Sequence, residues 1–201
     1  MPKSKKLKKF LIIGTLVVFV FLFLPILGHA WGRKHRVWHR PIATASDWKR
    51  FTSEDGAFSV RLPGVPVNTN EISDASGENI ERHLFYVNPN IQNAFAVAYS
   101  DSPMFAKMGK LPDPQAFLKK GQLLEVSKAK GKIVFEQESK FESFPAREFE
   151  FAAGGKANFS ARMKYILVGE RVYEIYVVFL TANPYPEERK IFFNSFKLLA
   201  N

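Results

Sequence analysis

Residues 157–180, ANFSARMKYILVGERVYEIYVVFL, contain the strongest folding signal in the chain. Apolar and polar side chains alternate on both sides of Gly169-Glu170, which is the period of a half-buried β-strand. A two-residue connection that begins with glycine suits a type II′ turn, and strands joined in this way are antiparallel. This stretch therefore predicts a β-hairpin.

The same alternation continues toward the N-terminus of the hairpin, over residues 132–141 and 146–152. The connectors at 142–145 and 154–155 are too short for the crossover that parallel strands need. We therefore expect a four-stranded antiparallel meander. Further strands are predicted at 48–52, 57–62, 80–87 and 94–100. The polar residues 67–79 are predicted to form an irregular excursion.

Two helices are predicted from proline. Asp113 is a suitable N-cap before Pro114, and Pro186 is followed by two glutamates that favour a helix N-terminus. The strand at 94–100 has alanine at every second position, so a helix can approach it closely. These features favour the α+β class, with an antiparallel sheet of about six to eight strands flanked by helices on both faces.

A run of nineteen uncharged residues, 10–28, precedes all of these elements. It is long enough for a helix to cross a bilayer, and five lysines stand before it. We divide the chain into a basic N-terminal segment (1–9), a transmembrane or signal helix (10–28), a juxtamembrane linker (29–46) and one folded domain (47–201). The run exceeds the usual length of a signal-peptide core, which favours an uncleaved anchor.

The alternative is a cleaved signal peptide, because Gly28-His29-Ala30 offers small residues at a cleavage site near Ala30. In that case the domain is secreted. The linker residues predicted to contact lipid head groups as aromatic and basic anchors are Trp31, Arg33, Lys34, Arg36, Trp38 and Arg40. The flanking charges mildly favour a domain on the extracytoplasmic side, in the periplasm or cell envelope.

Charge excludes one class of partner. Residues 1–40 hold nine Lys and Arg and no acid, while the rest of the chain holds 20 basic and 19 acidic side chains. The domain itself is thus nearly neutral, and a nucleic-acid-binding domain would carry its own basic excess.

The chain has no cysteine, which excludes disulfides, thiolate metal sites and a lipid-modified N-terminal cysteine.

No motif in the sequence indicates catalysis. The chain has no G-x-S-x-G nucleophile elbow and no phosphate-binding glycine loop, so no catalytic, cofactor-binding or metal-binding residue is assigned. His83 is the one histidine of the domain, and Ser100, Asp101 and Ser102 lie at the end of the neighbouring hairpin strand. A cleft near His83 and Asp101 is therefore the alternative site, for a small-molecule binder or a hydrolase.

Two weaker signals lie within the domain. Glutamates at 136, 138, 148 and 150 are expected to form a solvated acidic ladder that is balanced by nearby basic residues. A soft apolar group in the loop 101–112 is a possible contact for a protein partner if it is exposed; its members are Met104, Phe105 and Met108.

Two stretches resemble a known family. Residues 55–66, DGAFSVRLPGVP, look like the opening hairpin of PsbP-like domains. Residues 171–175, RVYEI, with 193–198, FNSFKL, are similar to the closing strand and helix of that group. The resemblance covers roughly 47–201 and implies a small α/β/α sandwich. It further implies an accessory or binding role without enzymatic activity, and no site residue is carried over from it.

Taken together, the sequence predicts a membrane-anchored, extracytoplasmic binding domain that acts on a protein partner in the envelope. No cofactor is expected. The expected partners are membrane lipid and an unidentified protein, and nucleic acid is not among them.

Overall fold

The computed structural model of the chain describes residues 48–55, 57–75, 78–90, 93–101, 113–153, 158–182 and 185–199. The strands of these segments are β1 (Lys49–Thr52), β2 (Phe58–Leu62), β3 (Val67–Ala75), β4 (Glu78–Asn90), β5 (Asn93–Asp101), β6 (Lys132–Phe141), β7 (Phe144–Ala152), β8 (Phe159–Val168), β9 (Arg171–Leu180) and β10 (Lys197–Leu198). The helices are α1 (Pro114–Lys128) and α2 (Pro186–Ser195).

Seven of the strands form one antiparallel sheet in the order β3-β4-β5-β9-β8-β7-β6. Strands β6 to β9 are sequential neighbours, so the predicted meander is present. Gly169, in the turn between β8 and β9, has a φ of +60°, the left-handed conformation that a tight hairpin turn requires. Strand β9 also pairs with β5, which makes the alanine-lined β5 a central strand.

The two faces of this sheet are covered differently. A second sheet, in the order β1-β2-β10, lies with α2 over one face, where Phe58 and Phe192 are fully buried. Helix α1 packs on the other face against β6, β7 and β8, and buries Leu118 there. Each face therefore has its own apolar core, and burial of these large side chains is the main stabilising contribution.

Both helices begin where the sequence predicts. The Asp113 side chain accepts a hydrogen bond from the backbone N–H of Ala116 at 3.0 Å and caps α1, with Pro114 in the first turn. Helix α2 begins at Pro186, directly after Tyr185.

The expected fold class is wrong. Most of the described residues lie in antiparallel strands, that part of the chain has only two helices, and the domain is not a helix-flanked α+β sandwich. The α/β/α layering implied by the resemblance fails for the same reason. Alternation identified β1 and β2 as strands, but it carries no information on which sheet a strand joins. With β10 the two strands form the second sheet, which lies with α2 over one face of the large sheet.

The prediction for residues 67–79 is also wrong, because they hold β3 and the start of β4. Strand β3 lies at an edge of the sheet and exposes Val67, Asn68 and Asn70. An edge strand can keep a polar sequence because little of it is buried.

The N-terminal predictions concern residues outside the part of the chain that the structure describes. The proposed helix at 10–28, the linker at 29–46 and the start of the domain at residue 47 stay predictions. No helix in the described part of the chain combines the length and apolar character needed to cross a bilayer.

Candidate functional site

A pocket of about 550 Å³ opens where the turns at one end of the two sheets meet. Its apolar wall comes from the ends of three strands and the residue after β10; the side chains are Phe144, Val168, Leu198 and Leu199. Glu142, Arg171 and Tyr173 add polar groups to the lining. Ligand sites commonly combine a concave apolar wall with a few polar groups in this way.

Arg171 anchors one side of the pocket through two carboxylates. Its Nε and Nη2 donate to the two oxygens of Asp101 at 2.7 and 2.8 Å, and its Nη1 donates to Asp55 at 2.7 Å. Asp55 lies in the turn between β1 and β2, so this network joins the small sheet to the large one. Hydrogen bonds to Asp101 help to hold the pKa of Arg171 above its ordinary value.

Burial alone would raise the pKa of Asp55. Hydrogen bonds from Ser53, the backbone of Ala57 and Arg171 outweigh this effect, so the pKa lies below its ordinary value. Asp55 is therefore ionised at neutral pH. Its charge contributes to the acidic character of this end of the domain.

Two aromatic rings extend the network toward His83. The Arg171 guanidinium lies 4.3 Å from the centre of the Tyr99 ring, and the His83 ring stacks on Tyr99 at 4.6 Å. Desolvation, followed by the charge of Asp55, raises the pKa of Tyr99 to about 12. The Tyr99 phenol therefore keeps its proton at neutral pH.

The charge around the pocket is predominantly negative. Exposed carboxylates stand in the surrounding turns and at the end of β5; they belong to Glu54, Asp55, Asp101, Glu142 and Glu170. Arg171 is the cation among the pocket-lining residues, and two of these carboxylates already bind it. The surface around the pocket thus favours a positively charged group on the ligand.

The structure brings the predicted pair, His83 and Asp101, to the same face of the large sheet, but it does not form a serine–histidine pair. Ser100 is opposite Arg82 in the register of β4 and β5, whereas His83 is opposite Tyr99. Adjacent residues of a strand point to opposite faces, so Ser100 and His83 lie on different sides of the sheet. Ser102 lies outside the described residues.

The acidic ladder is divided between the two faces. Glu136 and Glu138 bind Arg147 on the face beneath α1. Glu148 and Glu150 bind Arg162 on the opposite face. Alternate residues of one strand share a face. The two glutamates of β6 point to the face beneath α1 and the two of β7 point to the other face, so the four form two separate ion-pair clusters. Within the described residues, no group of acids and histidines is arranged to hold a metal ion.

Sequence reasoning missed a cluster of ionisable side chains beneath α1. Arg82 donates from Nε and Nη2 to Glu174 at 3.1 and 2.9 Å, and both side chains are almost fully buried. Glu125 of α1 is also buried, and desolvation raises its pKa to about 7. Tyr165 is buried beside these charges, and its hydroxyl has no hydrogen-bond partner in the described part of the chain. The sequence signal that could have revealed this cluster was the presence of charged residues within otherwise apolar strands, such as Glu174 in β9.

The remaining predicted site residues lie outside the described residues and stay predictions. They are the proposed membrane contacts Trp31, Arg33, Lys34, Arg36, Trp38 and Arg40, and the proposed partner contacts Met104, Phe105 and Met108.

Comparison with known proteins supports the resemblance at the level of fold. No protein-family model and no curated protein matches the chain. The solution structure of cyanobacterial PsbP (CyanoP) from Synechocystis sp. PCC 6803 matches with a TM-score of 0.55 at 8% identity, over 84% of this chain and 99% of that one. A protein of unknown function from Pseudomonas aeruginosa matches with a TM-score of 0.39 at 13% identity, over 71% and 90%. The chain therefore has a PsbP-like fold, and at 8% identity the first likeness concerns the fold alone.

Proposed function

We propose that this chain is a membrane-anchored, extracytoplasmic binding domain without enzymatic activity. Its pocket at the end of the sheets holds a segment of a protein partner that carries an apolar side chain next to a lysine or arginine. The observation that carries this proposal is the pocket itself, because a wall of Phe144, Val168, Leu198 and Leu199 is surrounded by exposed carboxylates.

The proposed chemistry follows from both parts of the pocket. An apolar side chain that enters it removes its own surface and that of Leu199, which is 37% exposed, from water. A neighbouring cation on the partner is attracted to Glu142 and to the carboxylates around Arg171. The likeness to a PsbP fold agrees with a binding role, and the uncharged run at 10–28 supports the proposed anchor.

A photo-crosslinking experiment tests the pocket in the full-length protein in native membranes. A photoreactive amino acid replaces Leu199, and in a control it replaces Leu123, which is 48% exposed on the opposite face. We expect one protein to be crosslinked at position 199 but not at position 123. Glu142→Lys is expected to weaken that crosslink. Equal products at both positions, or none at position 199, would refute the proposal.

A small-molecule binder is the second candidate, because 550 Å³ lies within the range of ordinary ligand pockets. The same crosslinking experiment distinguishes the two candidates. If the ligand is a small molecule, crosslinking at position 199 would raise the mass of the chain by less than the mass of a protein.

The proposed extracytoplasmic location has a separate test. Protease treatment of intact cells and of spheroplasts, with mass measurement of the products, reports the side of the membrane, the anchor and cleavage near Ala30 together. Protection of the domain until the inner membrane is broken would refute an extracytoplasmic location.

A further inference from the structure

Strand β3 forms one edge of the large sheet, and among the described strands it pairs only with β4. Its nine residues follow a continuous register from Val67 opposite Tyr86 to Ala75 opposite Glu78. A long, regular edge strand presents a row of backbone N–H and C=O groups to which another extended chain can add. The geometry of β3 therefore suits the addition of a strand.

The other edge of the sheet, β6, is protected against such an addition. Its register shifts between Ile133 and Phe135, so Val134 lies in a β-bulge. Charged side chains also occur along this strand; they are Lys132, Glu136, Glu138 and Lys140. Bulges and charges are the usual means by which natural proteins block an edge strand.

Strand β3 lacks both kinds of protection over the residues whose side chains are described. Between 67 and 72 its one charged side chain is Glu71, which binds Arg82 at 2.8 Å on the face of the sheet that carries α1. Apolar side chains lie exposed here instead: Val65 before the strand is 84% exposed, Val67 is 52% exposed and Ile72 is 74% exposed. They are three of the six large, exposed apolar side chains in the described part of the chain.

Charge decides which chain this edge accepts. The sequence of the β3–β4 hairpin contains one arginine, Arg82, and four acidic residues, which are Glu71, Asp74, Glu78 and Glu81. Arg82 is already neutralised by the buried Glu174. A second copy of this chain would bring two acidic edges together, and their repulsion opposes that pairing. An extended segment with lysine or arginine would instead be attracted.

We propose that β3 binds an extended segment of a partner protein, in which apolar and basic residues alternate, as an eighth strand of the large sheet. Backbone hydrogen bonds to β3 provide the register. The apolar side chains of the segment share one face of the sheet and cover Ile72, and the basic ones lie on the opposite face, which carries Glu71. This surface is formed by other residues than the sheet-end pocket, so the inference goes beyond the proposed function and does not depend on it.

A labelled nine-residue peptide of alternating valine and lysine serves as the probe, and fluorescence anisotropy measures its binding to the full-length chain in detergent micelles. Ile72→Lys is expected to weaken binding by about tenfold or more, which corresponds to roughly 1.4 kcal/mol. Val134→Lys is the matched control, because Val134 is an apolar residue of the other edge that is 58% exposed. It is expected to change the affinity by less than about twofold.

Two further measurements separate strand addition from attraction by charge alone. A peptide with an N-methyl group on every residue keeps its charge but lacks the backbone donors of both edges, and it is expected to bind far more weakly. Hydrogen exchange is expected to show new protection of amides in β3 and none in β6.

The proposal is overturned if Ile72→Lys and Val134→Lys have the same effect, if N-methylation changes nothing, or if no binding occurs. It is also overturned if the β3 amides that do not bond to β4 are already protected before peptide is added, because the edge would then be occupied by this chain or by a second copy.

Discussion

We expect Glu125→Gln to stabilise the fold at pH 8 and to leave its stability nearly unchanged at pH 4. The Glu125 side chain is 6% exposed and lies in the last turns of α1, where the negative end of the helix dipole disfavours a carboxylate. Lys128 donates to it at 3.2 Å, and Glu174 adds a repulsive negative charge. Glutamine has a similar size and carries no charge.

The magnitude follows from the pKa of Glu125, which burial raises from its ordinary 4.5 to about 7. At about 1.4 kcal/mol for each pH unit between the two values, ionisation in the folded state costs roughly 3 kcal/mol. The folded chain holds this proton more tightly than the unfolded chain does. The stabilisation by the protonated group is therefore complete below pH 4.5 and is lost as the pH rises through 7.

Urea unfolding of the full-length chain in detergent micelles, at pH 4, 6 and 8, measures this effect. The difference in unfolding free energy between Glu125→Gln and the natural chain removes the contribution of other titrating groups. We expect it to grow from near zero at pH 4 to as much as about 3 kcal/mol at pH 8. Glu170→Gln, at an exposed turn position, controls for the loss of one negative charge. A difference that is the same at pH 4 and pH 8 would refute the argument.

Three other substitutions test the packing, with unfolding free energy as the measurement. Arg82→Met leaves the carboxylate of Glu174 buried without its partner and is expected to lower the unfolding free energy by about 3–5 kcal/mol. A second change, Glu174→Leu, is expected to restore most of this loss. No recovery in the double variant would contradict this expectation. Phe58→Ala removes a fully buried ring between the two sheets and is expected to cost about 3–5 kcal/mol; a cost below that of an exposed-site change would contradict it. Gly131→Ala places a Cβ 2.9 Å from the carbonyl oxygen of Ala152 and is expected to cost about 1–3 kcal/mol; an unchanged stability would show that the backbone relaxes freely there.

The candidate site was only partly predictable from the sequence. The hairpin of β4 and β5 is local, and it places His83 opposite Tyr99. Arg171 reaches Asp101 only because β5 pairs with β9, and these two residues are 70 positions apart in the chain. No periodicity in either strand indicates that pairing. The pocket depends on still more distant elements, since its lining includes residues from 57 to 199.

Local sequence is enough to predict the strands of the meander, the turn at Gly169 and the helix starts at Pro114 and Pro186, because alternation, turn chemistry and capping act between residues that are close in the chain. The tertiary structure alone decided that β1, β2 and β10 form a second sheet, that β3 is a strand at all, and that Glu125 is buried next to Glu174. Strand pairing and burial depend on which distant surfaces meet, and alternation specifies the face on which a side chain lies but not the neighbour that covers it.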